Sequence, residues 1–248
     1  GDIFDSSAPG NRAQEQYYGF LAGLRGTCCR HVIIIGGNHD SPSFLEAPKD
    51  ILGALRIKVI GAISSETADE IYVAKNSEGR TEAIICAVPF LRDRDIRTVE
   101  PGESPEDKTR KLKEGIVNHY MKIRVEAEKL RGNDKSIPLI GMGHLFTSQG
   151  KTVEGDGIRE LYIGTIVHID GQDISEGFDY MALGHLHISQ AAEGAEKVRY
   201  SGSPIPMSFA EAGQIKKVLV VEFSGSSAVI TSHEIPCFQE LEKISGSI

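Results

Sequence analysis

The chain has no tryptophan, and aromatic residues fill only 6% of its 248 positions. Cysteine is scarce too, with four residues and no C-x-x-C spacing. That excludes the common zinc-finger and thioredoxin-like patterns. Cys28 and Cys29 are adjacent, Cys86 lies in an apolar run and Cys237 is near the end. They read as buried or incidental thiols, and a reducing, cytoplasmic location is expected. No apolar run approaches the roughly 20 residues that a membrane-spanning helix needs. The chain opens on Gly1-Asp2-Ile3-Phe4-Asp5, with neither a secretory signal nor an initiator Met, so a natural start further upstream is expected. Positive charge is also short, with 27 Lys and Arg against 35 Asp and Glu and a net charge of −8. A module that grips DNA through its own surface would be basic, because phosphate contacts come from Lys and Arg. An enzyme that carries divalent cations and takes affinity from a partner is not excluded.

Apolar residues make up 40% of the chain and charged residues 25%, the balance of a globular protein with a core of its own. The apolar spacing predicts helices over Asn11–Arg25 and Phe44–Leu55. Ser104, Pro105 and Asp107 mark a capped helix start. The stripe Leu112, Ile116, Tyr120, Ile123, Ala127 and Leu130 continues it, and Gly132 is a natural stop. The run His31–Gly36 predicts a buried strand. Further strands are expected over Lys58–Ile60, Ile71–Ala74, Glu82–Val88, Ile137–Gly143, Tyr180–Gly184, Val198–Ser201, Lys217–Phe223 and Ala228–Glu234. Glu100–Lys108 is expected as an exposed linker. Mixed strands and helices over this length favour a layered α/β sandwich.

Four apolar segments end alike. The chain opens Gly1-Asp2-Ile3-Phe4-Asp5, and later come Gly36-Gly37-Asn38-His39-Asp40, Gly143-His144 and Gly184-His185-Leu186-His187. In each, glycine precedes a residue able to bind a metal. Functional groups gather where buried strands give way to loops, and glycine lets the backbone approach an ion or phosphate closely. Asp, Asn and His offer oxygen and imidazole donors suited to Mn²⁺, Fe²⁺ or Zn²⁺. Two such ions about 3.5–4 Å apart can hold a phosphate and activate water. Taken singly, His-x-His and Gly-Asp-x-x-Asp occur by chance; the ordered set of four does not.

That order resembles the calcineurin-like metallophosphoesterase superfamily. Three further stretches resemble its SbcD-type nucleases: Val88-Pro89-Phe90-Leu91-Arg92-Asp93-Arg94-Asp95, Arg159-Glu160-Leu161-Tyr162-Ile163-Gly164-Thr165 and Tyr200-Ser201-Gly202-Ser203-Pro204-Ile205-Pro206. The resemblance implies a four-layer αββα sandwich. It makes Asp2 a bridging carboxylate, Asn38, His144 and His185 ligands of one metal, and His187 a ligand of a second. His39 becomes the catalytic histidine, with Asp5 orienting its imidazole. It also implies two Mn²⁺ ions, DNA as substrate, a homodimer formed through the helices over Asn11–Arg25 and Phe44–Leu55, and an SbcC-type coiled-coil ATPase as partner. The family's opening Asp-x-His motif does not precede Asp2. The expectation is therefore a metallophosphoesterase core over residues 1–235 that lacks its first strand, followed by the truncated start of a cap domain over 236–248. Such a piece is expected to be inactive or weak, and to bind the ATPase poorly.

Plainer readings stand beside these. Asp5 could cap the helix that follows it. Arg92 to Arg97 reads as a solvated charge cluster rather than a phosphate contact. Ser201 and Ser203 lie in a loop bordering the site, with no base tied to either. His31, His119, His168 and His233 read as surface or packing residues. Two other functions remain open: a phosphoesterase acting on small molecules, which the acidic charge favours, and a non-catalytic dimerising scaffold.

Overall fold

A computed structural model describes residues 1–98, 100–147, 150, 169–242 and 244. The stretch from Arg159 to Thr165 and His168 lie outside the described residues. The elements run α1 (Asn11–Gly23), β1 (Val32–Ile35), α2 (Pro42–Glu46), α3 (Lys49–Ala54), β2 (Ile57–Ile60), β3 (Ile71–Lys75), β4 (Thr81–Ala87), α4 (Asp93–Ile96), α5 (Pro105–Arg131), β5 (Leu139–His144), α6 (Gly171–Ser175), β6 (Tyr180–Gly184), β7 (Gln190–Ala192), β8 (Ala195–Tyr200), β9 (Lys217–Ser224) and β10 (Ser227–Glu234).

The described strands form three sheets. β1 and β2 pair in parallel, and β9 and β10 make an antiparallel hairpin. The third sheet has six strands in the order β3-β4-β5-β6-β8-β7. Within it β4, β5, β6 and β8 run parallel, and the two edge strands run antiparallel to their neighbours.

Alternation along the strands stacks these sheets. In β4, Ile84 and Cys86 face one side, with Ile85 and Ala87 on the other. Ile85 and Ala87 meet Ile35 and Ile60 of the two-stranded sheet in a central core. Ile34, between Ile33 and Ile35, turns outward to pack with Leu21 of α1, Leu45 of α2 and Leu52 of α3. Ile84 and Cys86 pack with Ile116, Tyr120, Ile123 and Ala127 of α5 and Ile174 of α6. The layers are thus helix, sheet, sheet, helix, an α/β sandwich of four layers. The Val-Ile-Ile-Ile run of β1 is continuous because both faces of that strand are covered.

α5 starts as its sequence predicts. Ser104 accepts from the Asp107 N–H at 3.1 Å, and the Asp107 carboxylate accepts from the Ser104 N–H at 3.4 Å. Gly132 ends the helix with φ 61°. The apolar stripe stops one turn early, however. Leu130 is 58% exposed, and Arg131 is the buried residue at that end. Its guanidinium donates to the Lys135 carbonyl at 2.8 Å and pairs with Asp179 at 3.3 Å.

Two expectations are corrected. Phe44–Leu55 is two short helices rather than one, because Pro48 has no N–H to continue the first and instead caps the second. The segment Glu100–Lys108 is not a free linker. Arg97 and Glu103 form an ion pair with both side chains only 5% exposed, and Lys111 pairs with Glu100 at 2.7 Å. The arginine cluster before it is therefore only partly solvated. No helix among the described residues is long and apolar enough to cross a membrane.

Candidate metal centre

Strands β1, β5 and β6 bring Asn38, His144 and His185 to one place, and His187 lines the same cavity without joining that group. Asn38 follows β1, His144 ends β5, and His185 and His187 follow β6. Asp2 reaches the same spot from the opening loop. The ligand atoms of Asp2, His144 and His185 all lie within 4.8 Å of one another. Asn38 Oδ1 sits among them, 2.9 Å from His144 Nε2 and 3.1 Å from His185 Nδ1. Asp2 Oδ2 is 3.1 Å from the same His144 Nε2. Asp2, His144, His185 and His187 line a cavity of about 280 Å³ together with Ser201 and Ser203.

Backbone strain and small residues make this convergence possible. His185 has φ 99° and Asp2 φ 55°, a region costly for residues with side chains. A Cβ on Gly37 would overlap the Asp2 carboxylate, so the loop after β1 needs glycine there. Asp40, 3% exposed, ties the two loops together. Its carboxylate accepts from the N–H groups of Ile3 at 3.0 Å, Phe4 at 3.0 Å and Gly37 at 2.8 Å.

The charge states suit a cation. Burial alone would raise the Asp2 carboxyl. Hydrogen bonding to His144 and the His39 N–H at 2.9 Å outweigh it and hold Asp2 well below the usual carboxylate range. Burial pushes His144 below its ordinary value, and pushes His185 down to about 4 with the help of the neighbouring His144. Both imidazoles are therefore neutral near pH 7, the state in which imidazole binds metal. One anionic oxygen, one amide oxygen and two neutral imidazoles at this spacing fit a divalent ion that takes mixed nitrogen and oxygen donors.

His39 lies at the edge of this group, its side chain 14% exposed. Its Nδ1 is 2.9 Å from the backbone carbonyl oxygen of Asp5, whereas the Asp5 carboxylate is 3.9 Å away and 83% exposed. The Asp5 atom nearest the ring is thus its main-chain oxygen rather than its side chain. The carbonyl can only accept, so Nδ1 carries the proton and Nε2 the lone pair.

The stretches after β4 and β8 brace these loops. The Phe90 N–H donates to the Gly36 carbonyl at 2.9 Å, and the Phe90 ring stands edge-on to His144 with centroids 6.2 Å apart. Arg92 stacks over Phe90 at 6.0 Å and donates to the Asp40 carbonyl at 3.3 Å. The Ser203 N–H donates to the His187 carbonyl at 3.1 Å, and Gly202, at φ 82°, would drive a Cβ into that same carbonyl. Glu211, fully buried, accepts at 2.8 Å from His187 Nδ1. Burial would raise its carboxyl, but hydrogen bonds from Lys216 and His187 hold it below its ordinary range.

Of the remaining histidines, His119 is buried against Glu70 at 2.8 Å and His31 bridges Tyr72 and the Lys75 carbonyl, while His233 is exposed. None of these three, among the described residues, joins the cluster. Sequence reasoning missed Asp40 and Glu211. Asp40 was within view, since it ends the Gly-Asn-His-Asp motif.

No family model matches the chain. SbcD, the nuclease component of SbcCD in Escherichia coli K12, is 37% identical to it over 249 aligned positions, covering all of this chain. The chain is related to the SbcD proteins along its whole length. The Rhodobacter capsulatus SbcD is 30% identical over 92% of the chain, and that of Bacillus subtilis 28% over 90%. The chain spans 60% of the E. coli SbcD and 54–56% of the other two.

Proposed function

We propose that this protein is a metal-dependent DNA nuclease subunit that hydrolyses phosphodiester bonds in double-strand-break processing. The observation that carries this reading is the convergence of Asp2, Asn38, His144 and His185, with the His39 N–H on Asp2, in a chain related to SbcD proteins. Asp2, Asn38, His144 and His185 would hold one divalent ion, with Asp2 bridging to a second ion that His187 joins; Mn²⁺ is our choice, with Zn²⁺ or Fe²⁺ as substitutes. Bound ions there would draw charge from a phosphate and make a nearby water more acidic.

The chain's own residues supply the rest. Asp2 stays anionic across the working pH range, so it holds its place without a proton. The Asp5 carbonyl fixes His39 with a proton on Nδ1. When protonated, His39 can hydrogen-bond the negative charge that gathers on phosphorus-bound oxygen, and can give the proton at Nε2 to the leaving 3′ oxygen. Asp40 keeps Asn38 and His39 in register with Asp2 by joining their loops.

The substrate is taken to be DNA, and the partner an SbcC-type coiled-coil ATPase that offsets the chain's charge of −8. The homodimer contact is placed on α1 and α3, where Phe20 and Ile51 are 65% and 72% exposed. Free cysteines at positions 28, 29 and 237, all exposed, suit the cytoplasm. The acidic charge favours a second reading, a phosphoesterase for small molecules.

Cleavage of linear duplex DNA by the intact protein, with Mn²⁺, Mg²⁺ or chelator and beside His39→Ala, tests the proposal. Mn²⁺-dependent degradation that disappears in the variant is expected. An intact aryl phosphodiesterase activity with no cleavage of DNA in any condition would replace it with the second reading.

A further inference from the structure

His187 differs from His144 in that its carboxylate partner, Glu211, lies outside the candidate ligand set. Glu211 comes from a 3₁₀ turn, Phe209–Glu211, whose start is capped by Ser208 accepting from the Ala210 N–H at 3.2 Å. This turn lies between β8 and β9 and belongs to none of the four metal motifs. It nonetheless carries a fully buried acid behind His187 and Ser203, which line the cavity. A buried carboxylate is costly unless it is paired and hydrogen-bonded. Glu211 uses both oxygens. Oε1 accepts from His187 Nδ1 at 2.8 Å, while Oε2 accepts from Ser203 Oγ at 3.2 Å and pairs with Lys216 Nζ.

Lys216, 7% exposed, completes the device. Its ammonium neutralises Glu211 and also reaches Ser203 Oγ at 2.8 Å, Gln214 Oε1 at 3.1 Å and the His187 carbonyl at 3.3 Å. One cation thus holds both the backbone of His187 and the carboxylate that meets its ring. A salt bridge serving only to fasten the turn to the core would need Glu211 and Lys216 alone. Here a third member, the imidazole, takes a whole carboxylate oxygen.

We propose that Glu211, braced by Lys216 and Ser203, is a positioning residue that sets the tautomer and ring orientation of His187. The proposal rests on the reading of His187 as a metal ligand. A carboxylate can only accept, so His187 carries its proton on Nδ1 and its lone pair on Nε2. Such a partner fixes the ring and makes the ligating nitrogen more basic, and its removal costs about 10–100-fold in metal affinity in comparable sites.

Two measurements on the intact protein test this. Long-range ¹H–¹⁵N correlation spectra of the metal-free protein report the tautomer of His187. The Nδ1–H form is expected in the wild type, with a mixture of both tautomers in Glu211→Ala. Calorimetric titration with Mn²⁺ is expected to show about 10–100-fold weaker binding at one site in Glu211→Ala. Glu211→Gln keeps an oxygen opposite Nδ1 and is expected to retain the tautomer and part of the affinity. Thermal unfolding checks that each variant folds, and the wild-type spectrum needs no variant. An Nε2–H form of His187 in the wild type would overturn the proposal. So would wild-type Mn²⁺ affinity in Glu211→Ala alongside a loss in His187→Ala, which leaves the ligand reading standing. If His187→Ala itself keeps full Mn²⁺ affinity, the ligand reading fails and takes the proposal with it.

Discussion

The floor and the wall of the cavity hold their histidines in different ways. On the floor, Asp2, Asn38, His144 and His185 contact one another, and Asp2 also accepts from the His39 N–H. On the wall, His187 is held by Glu211 and Lys216, which are not ligands. The floor is therefore a set of donors whose mutual contacts a cation would replace. On the wall, Glu211 instead ties His187 to Ser203 and Lys216, which lie outside the candidate ligand set. A mutation on the floor should strike metal binding directly, while one on the wall should act through orientation.

The largest effect should separate chemistry from binding. His39→Ala is expected to lower DNA cleavage by the intact protein by about 10²–10⁴-fold, the usual contribution of a general acid or base. Its Mn²⁺ affinity should stay within a few-fold of the wild type. His144→Ala should lose both together. Parallel kinetics and calorimetry would show it, and equal loss of Mn²⁺ affinity in the two variants would erase the distinction between His39 and the floor.

Next in size is Asp40→Ala. It removes the acceptor of three backbone N–H groups in a buried place. Each unsatisfied donor costs about 1–3 kcal/mol, so a loss of about 3 kcal/mol or more in urea unfolding is expected. The floor should lose Mn²⁺ affinity as well, since Asp2 and Asn38 stand on the loops that Asp40 joins. A stable variant with intact affinity would show that the loops need no brace.

These residues show how far the sequence reached. The residues that meet at the candidate site were legible because Asn38, His144 and His185 each follow a glycine at or just after the end of an apolar strand. The α5 boundaries were legible from a capping box and a terminal glycine, both local signals. Pro48 was visible too, but the apolar periodicity on either side of it hid the break. For Asp5, sequence names a residue and not which of its oxygens lies nearer the His39 imidazole, and here that is the main-chain one. Glu211 was out of reach altogether: it lies 24 positions beyond His187, in a short turn whose pattern carries no chemistry until the chain is folded.

Acid should also tell floor from wall. Burial holds His185 at about 4, against an ordinary value of about 6.5 in the unfolded chain. Between these values the unfolded chain takes up a proton that the folded one refuses. Metal-free stability should therefore fall as pH drops from about 6.5 to about 4, by up to about 3 kcal/mol. His144, also pushed down by burial, adds in the same direction. Asp2 does not mask the window: its carboxyl is held low, so its contribution is present above the ordinary carboxylate value and is lost only in stronger acid. Urea midpoints of the metal-free protein at about pH 7.5, 6 and 5 would measure the slope, and a flat profile would contradict the neutral floor.

The smallest effect is expected on the wall. Ser203→Ala removes a hydroxyl that donates to Glu211 Oε2 at 3.2 Å and lies 2.8 Å from Lys216 Nζ. Lys216 stays on that oxygen, so the carboxylate remains paired and His187 keeps its partner. The expected cost is about 1 kcal/mol, the net worth of one hydrogen bond, with Mn²⁺ affinity changed by only a few-fold. Asn38→Ala, by contrast, takes an oxygen from between two imidazoles and is expected to abolish binding at the floor site. If Ser203→Ala weakened Mn²⁺ as much as Asn38→Ala, the wall would be no scaffold but part of the ligand shell, and the difference between the two regions would vanish.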